Sequence, residues 1–202
     1  MRSSVKKTCC IILACFVFVF SFVGCKDSKP KNYIETMALS EDQKAIVNLI
    51  SSNDQKIILF DIQTEKIFKH LEFWVETYNN GEIVDAKASS LEMSDPVSAF
   101  NGELAVIISR NPDYQWTLIY GENGMKAGST VNEPNKNYAS DSYGDCALNL
   151  PVEIEDGKEI VLYARAFNKD GKYRTFEPQS FLDTNNLKQY EYAHLIKCRF
   201  SK

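Results

Sequence analysis

The stretch His70–Tyr78, HLEFWVETY, runs through Asn80-Gly81 into Glu82–Lys87, EIVDAK. Leu71, Phe73 and Val75 alternate with Glu72, Trp74 and Glu76, which is the period of two that gives a strand two different faces. Asn-Gly is the dipeptide that best tolerates the two positive φ angles of a tight hairpin turn. The two segments therefore predict an antiparallel pair. Working outward, Lys56–Ile62 (KIILFDI) is β-branched and apolar. Glu103–Ser109 (ELAVIIS) and Gln115–Tyr120 (QWTLIY) flank Asn111-Pro112-Asp113, where Pro fixes one torsion of a turn. Glu159–Phe167 alternates and is expected to meet a strand at Tyr173–Phe176 through Asp170-Gly171. Tyr192–Phe200 closes the set, with His194, Ile196, Cys198 and Phe200 on one face.

Only one helix is predicted. Ser40-Glu41-Asp42-Gln43 is a capping box, and Ala45, Ile46, Leu49 and Ile50 then recur at helical spacing until Ser51–Asp54 stops the run. The apolar stripe is expected to pack on the body. Strands at short intervals without alternating helices predict a mainly β protein, an antiparallel two-sheet sandwich with one short N-terminal helix. At fold level the body resembles the immunoglobulin-like domains of bacterial lipoproteins. The alternative is an α+β, cystatin-like sheet packed on the first helix.

The chain has 202 residues, with 23 Lys and Arg against 27 Asp and Glu and a formal charge of −4. That balance argues against nucleic-acid binding, which needs a basic stripe to neutralise phosphates. The first residues stand apart from the rest. Arg2, Lys6 and Lys7 precede the apolar run Cys9–Phe20, which is the length of a signal-peptide core and short for a membrane span. Phe22-Val23-Gly24-Cys25 follows and resembles the lipobox of bacterial lipoproteins. That resemblance implies cleavage after Gly24, with Phe22, Val23 and Gly24 read by the signal peptidase, and covalent lipid on Cys25 as a membrane anchor. The expected organisation is a signal peptide at 1–24, a lipidated tether at 25–38 and one domain at 39–202. Removing Met1–Gly24 takes three basic and no acidic residues, so the remainder is more acidic than the whole chain.

The search for chemistry is mostly negative. The nucleophile elbow, zinc-protease, phosphate-loop, dinucleotide and C-x-x-C patterns are missing from the sequence. Ser28-Lys29-Pro30-Lys31 spells S-x-x-K, but Pro30 interrupts the helix that such a motif needs. His70 and His194 sit on predicted strands without a neighbouring nucleophile, so each is read as a sheet residue. Asp141 and Asp145, and then Glu153, Glu155, Asp156 and Glu159, offer oxygens without the spacing of a calcium loop; no metal and no other cofactor is expected. Cys146 and Cys198 are the remaining thiols after Cys25. They could form a disulfide outside the cytoplasm, or Cys198 could be a buried free thiol. Trp74 and Trp116 are mid-strand, where core packing is the expectation.

The most suggestive stretch is Asn132–Asp145, NEPNKNYASDSYGD. Tyr138, Asp141, Tyr143 and Asp145 make a candidate recognition loop, because tyrosine gives contact area at little entropy cost among adaptable polar groups. The resulting expectation is a lipid-anchored, extracytoplasmic protein with a non-enzymatic binding role at the cell envelope. Its partners would be the membrane and an envelope ligand or protein. The alternatives are a hydrolase using carboxylates such as Asp141, Asp145 or Glu153, and a structural or assembly component.

Overall fold

Strands form where the β-branched runs lie. In chain order, the computed structural model has β1 (Tyr33–Thr36), α1 (Glu41–Ile50), β2 (Gln55–Gln63), β3 (His70–Asn79), β4 (Glu82–Ser94), β5 (Asn101–Ser109), β6 (Tyr114–Glu122), β7 (Met125–Glu133), β8 (Tyr143–Ala147), β9 (Val152–Glu153), β10 (Glu159–Asn168) and β11 (Tyr190–Ser201). Two short 3-10 helices, Pro178–Leu182 and Thr184–Gln189, lie between β10 and β11. The structure describes residues 29–52, 54–94, 98–110, 114–133, 143–170, 172 and 174–202. The Phe22–Cys25 motif, Tyr138, Asp141 and the Asn111–Asp113 turn lie outside them.

The strands make two antiparallel sheets, one of six strands in the order β7-β6-β5-β2-β1-β9 and one of five in the order β4-β3-β11-β10-β8. The fold is the expected two-sheet sandwich. Asn80 and Gly81 have φ of 51° and 84°, which is the geometry the Asn-Gly signal demands. Asn123-Gly124 repeats it between β6 and β7, with φ of 49° and 81°.

Alternation decides what is buried. Ile58, Phe60 and Ile62 of β2, Leu104, Val106 and Ile108 of β5, and Trp116 and Leu118 of β6 face Phe73, Ile196 and Phe200 of the other sheet in one core. The five-stranded sheet is covered on its second face as well. Phe176, Phe181, Leu187 and Tyr190 pack there on Val161, Ala164, Ala166 and Leu195. Burying both faces of β10 explains why its run is apolar at nearly every position rather than at every second one.

Three expectations change. Arg174–Phe176 is not a strand; with the two 3-10 helices it forms the cover over the five-stranded sheet. The tether was expected to run to Ala38, but Tyr33–Thr36 is β1, paired with both β2 and β9, and Ile34 is fully buried. A four-residue strand is too short to show a period. Finally, α1 forms with its capping box, Gln43 N–H donating to Ser40 Oγ at 3.3 Å and Ser40 N–H to Gln43 Oε1 at 2.9 Å. Its stripe does not pack on the body, however: Ile46, Leu49 and Ile50 are 59%, 85% and 68% exposed. Side chains of the facing strands already fill the core, and α1 is an excursion between the ends of β1 and β2. The sheets are therefore not built around a helix.

Candidate functional site

At one end of the sandwich the sheets part around a cavity of about 510 Å3. Asp54, Gln55 and Lys56 at the start of β2, with Ile108 and Arg110 at the end of β5, line it from the six-stranded side. Tyr143 and Asp145 of β8 and Arg165 of β10 line it from the other. Arg165 is the centre of the arrangement. It stands directly across the ladder from Asp145 and is only 4% exposed. Its Nη2 donates to Asp145 Oδ2 at 2.9 Å. Its guanidinium carbon lies 4.5 Å from the ring centre of Tyr143, 5.8 Å from Tyr114, 5.9 Å from Trp116 and 6.0 Å from Tyr163. Aromatic faces attract a guanidinium because their π clouds are negative, and the flat group stacks well on them.

Asp145 is held from three sides. Lys56 donates to Oδ1 at 2.6 Å, while the Tyr163 hydroxyl and Arg165 each donate to Oδ2 at 2.9 Å. Burial alone would raise the pKa of this carboxyl, but the Lys56 and Arg165 donors override it and pull it below the ordinary range. A carboxylate so saturated is a poor general acid and a weak base. Burial pushes the Tyr163 and Tyr114 phenols up, so both stay protonated near neutrality. Arg165 Nε is buried and has no hydrogen-bond partner among the described residues, and the same holds for Trp116 Nε1. Buried N–H groups without acceptors are uncommon in folded proteins.

Gly144 lies between Tyr143 and Asp145 of β8, on the opposite face of the strand. A Cβ there would come within 2.4 Å of the Arg174 carbonyl oxygen. Only glycine lets the covering segment approach β8 so closely between Tyr143 and Asp145.

Among the sequence-predicted residues, Tyr143 and Asp145 come together at this cavity, joined by residues the loop reading did not include: Lys56, Arg110 and Arg165. Arg165 is a lone charge in the nearly continuous apolar run of β10, a local signal that the loop reading passed over. The cysteines are not bridged; Cys146 and Cys198 are free thiols. Cys146 follows Asp145 on β8, so it points to the opposite face of the sheet, across from Ala164. Cys198 lies fully buried in the core between the sheets, which raises its thiol pKa. The sheet itself separates them. His194 is buried, its Nδ1 3.2 Å from Thr77 Oγ1 and its ring 5.0 Å from that of Trp116. His70 pairs with Ser94 Oγ at 3.1 Å, on the same sheet and far along the strand. Trp74 and Trp116 are both packed, at 2% and 0% exposure. Glu153 and Glu155 are exposed on either side of buried Ile154. Among the described residues, no three His, Cys, Asp or Glu side chains gather as a metal would require.

Residues 33–200 match the model of the YgaN domain. The chain belongs to the YgaN domain family. The match spans β1 to β11, so the tether-side strand and the last strand belong to one YgaN domain. No curated protein and no solved structure matches the chain. Among the described residues, no helix of the YgaN domain is long and apolar enough to cross a membrane.

Proposed function

We propose that the protein is a lipid-anchored, extracytoplasmic lipoprotein of the cell envelope. Its YgaN domain binds a small polar ligand in the cavity between the two sheets and catalyses nothing. The observation that carries the binding role is Arg165: a buried cation in a cage of four aromatic rings, on the floor of a cavity that fits a small molecule. The lipobox-like Phe22-Val23-Gly24-Cys25 and the apolar run before it support the anchor. A hydrolase has less support, because the cavity's inner carboxylate is ion-paired, hydrogen-bonded and low in pKa.

A thermal-shift screen of the full chain in detergent tests the binding role, with envelope sugars, wall fragments and short peptides as probes. A ligand at a hundred times its Kd adds about 2.7 kcal/mol of stability. At least one probe class should raise the melting temperature, and Tyr143→Ala, which removes a ring from the cavity wall, should weaken that shift. A shift indifferent to every cavity substitution places binding elsewhere. The anchor is tested separately by labelled-palmitate incorporation, which Cys25→Ser should abolish.

A further inference from the structure

We infer that the group this cavity receives is an oxyanion, a carboxylate or a phosphate, held by the Lys56, Arg110 and Arg165 side chains. The inference rests on the binding role proposed above and names the chemistry of its ligand. Among the described residues, three cations, Lys56, Arg110 and Arg165, line the cavity against two carboxylates, Asp54 and Asp145. This local positive excess sits on a chain whose formal charge is −4. A cleft lined by an excess of one sign of charge raises the local concentration of ions of the other sign.

The inner cations are also preorganised. Asp145 bridges Lys56 and Arg165, which fixes both cations at the cavity wall. Arg165 cannot turn away, being 5% exposed at its side chain and wedged among Tyr114, Trp116, Tyr143 and Tyr163. Its Nε hydrogen lacks an acceptor among the described residues. A desolvated donor on a charged group is costly until an acceptor arrives, and an oxyanion is the acceptor that gains most from it. Arg110 stands at the rim with its guanidinium 5.9 Å from the Tyr114 ring centre, placing a second planar fork at the entrance. A guanidinium matches carboxylate and phosphate oxygens two at a time.

The test is titration calorimetry of the full chain in detergent at constant ionic strength, with four probes: inorganic phosphate, galacturonate, galactose and glucosamine. Phosphate or galacturonate should bind, and the stronger of the two identifies which oxyanion the cavity prefers. Arg110→Gln and Lys56→Gln each remove a charge from a partly exposed side chain that the core does not need. Each should weaken the anionic probe by about tenfold or more. Arg165→Lys keeps the charge without the fork and should weaken it further if the domain still melts cooperatively. Binding of galactose or glucosamine without the anions overturns the oxyanion inference and leaves the binding role standing. Anion binding unchanged in both Arg110→Gln and Lys56→Gln overturns the site. Silence from all four probes overturns the inference, and silence from the wider screen as well overturns the binding role with it.

Discussion

Two polar clusters in this domain use nearly the same parts. At the cavity, Asp145 is bound by Lys56, Arg165 and the Tyr163 hydroxyl, with Trp116 beneath. On the outer face of the five-stranded sheet, Glu76 accepts from Trp74 Nε1 at 2.9 Å and from the Tyr78 hydroxyl at 2.6 Å, and pairs with Lys197 at 2.6 Å. Each has one carboxylate, a buried cation, a tyrosine and a tryptophan. They differ in closure. Lys197 reaches a second carboxylate, Glu159, at 3.1 Å, while Glu72 binds Lys87 and Arg199, whose charges lie over the Trp74 ring. Every charged member of the outer cluster named here has a partner within the sheet. The cavity cluster opens onto space for a small molecule and leaves a buried Nε donor without a partner among the described residues. A polar network whose members are all satisfied holds a structure together; one that ends in an open donor beside a cavity is poised to hold something else.

The largest effect should come from breaking the closed cluster. Glu76→Ala strips Lys197 of its nearest partner and leaves the Trp74 and Tyr78 donors empty. Losing one side of a buried ion pair costs roughly 3–5 kcal/mol, and Glu159 keeps the loss near the lower end at about 3. For a domain of this size that lowers the Tm by about 6–12 °C in calorimetry. Ligand binding at the cavity should not change. A Glu76→Ala protein that melts like the parent would show that the closed cluster is ornamental, and the contrast would fail.

Asp145→Ala should come close behind, at about 3 kcal/mol: Lys56 is partly exposed and can turn to water, but buried Arg165 loses its carboxylate and the Tyr163 hydroxyl its acceptor. It should also respond to its surroundings. Added acetate should recover part of the lost Tm, since the deleted carboxylate faced a cavity, and Glu76→Ala should recover less. Both carboxyls are held below their ordinary pKa values of 3.8 for Asp145 and 4.5 for Glu76, in each case by donors that outweigh burial. The folded state therefore binds these protons more weakly than the unfolded chain does. The stabilisation is complete above those ordinary values and is lost as pH falls through the lower folded ones. Between pH 6 and pH 3 the parent should lose more Tm than either alanine variant. Parallel pH curves for parent and variants would remove the charge account of both clusters.

The same contrast explains what could be read along the chain. β2, β3, β5, β6, β10 and β11 announce themselves, since β-branched runs and alternation are local properties. β7 is polar (MKAGSTVNE), yet Asn123-Gly124 before it carries the same turn signal as Asn80-Gly81 and could have revealed it. β1 and β9 are four and two residues long, too short for any period. Of the cavity, Tyr143 and Asp145 stood out because they end a tyrosine- and aspartate-rich stretch. Arg165 did not, because one charge in a nearly continuous apolar strand has no assigned face until β8 and the other sheet are set around it. Lys56 and Arg110 are single charges whose meaning arises only when β2 and β5 pair and end at the same mouth. Strand identity is local and strand neighbourhood is not.

The smallest effect should come from α1, which has neither cluster nor burial. Leu49 is a large apolar side chain at the helical spacing of Ile46, the pattern that predicted a packed stripe, and it is 85% exposed. If burial rather than residue type governs the two clusters, Leu49→Ser should move stability by no more than about 0.5 kcal/mol, because little apolar surface returns to water. Its only intrinsic cost is the weaker helix propensity of serine, a few tenths of a kcal/mol in a ten-residue helix. Chemical denaturation of the parent and Leu49→Ser should therefore give superimposable midpoints. A loss above about 1.5 kcal/mol would mean that the stripe is covered in solution, and the helix would then join Glu76 as part of what holds the domain together.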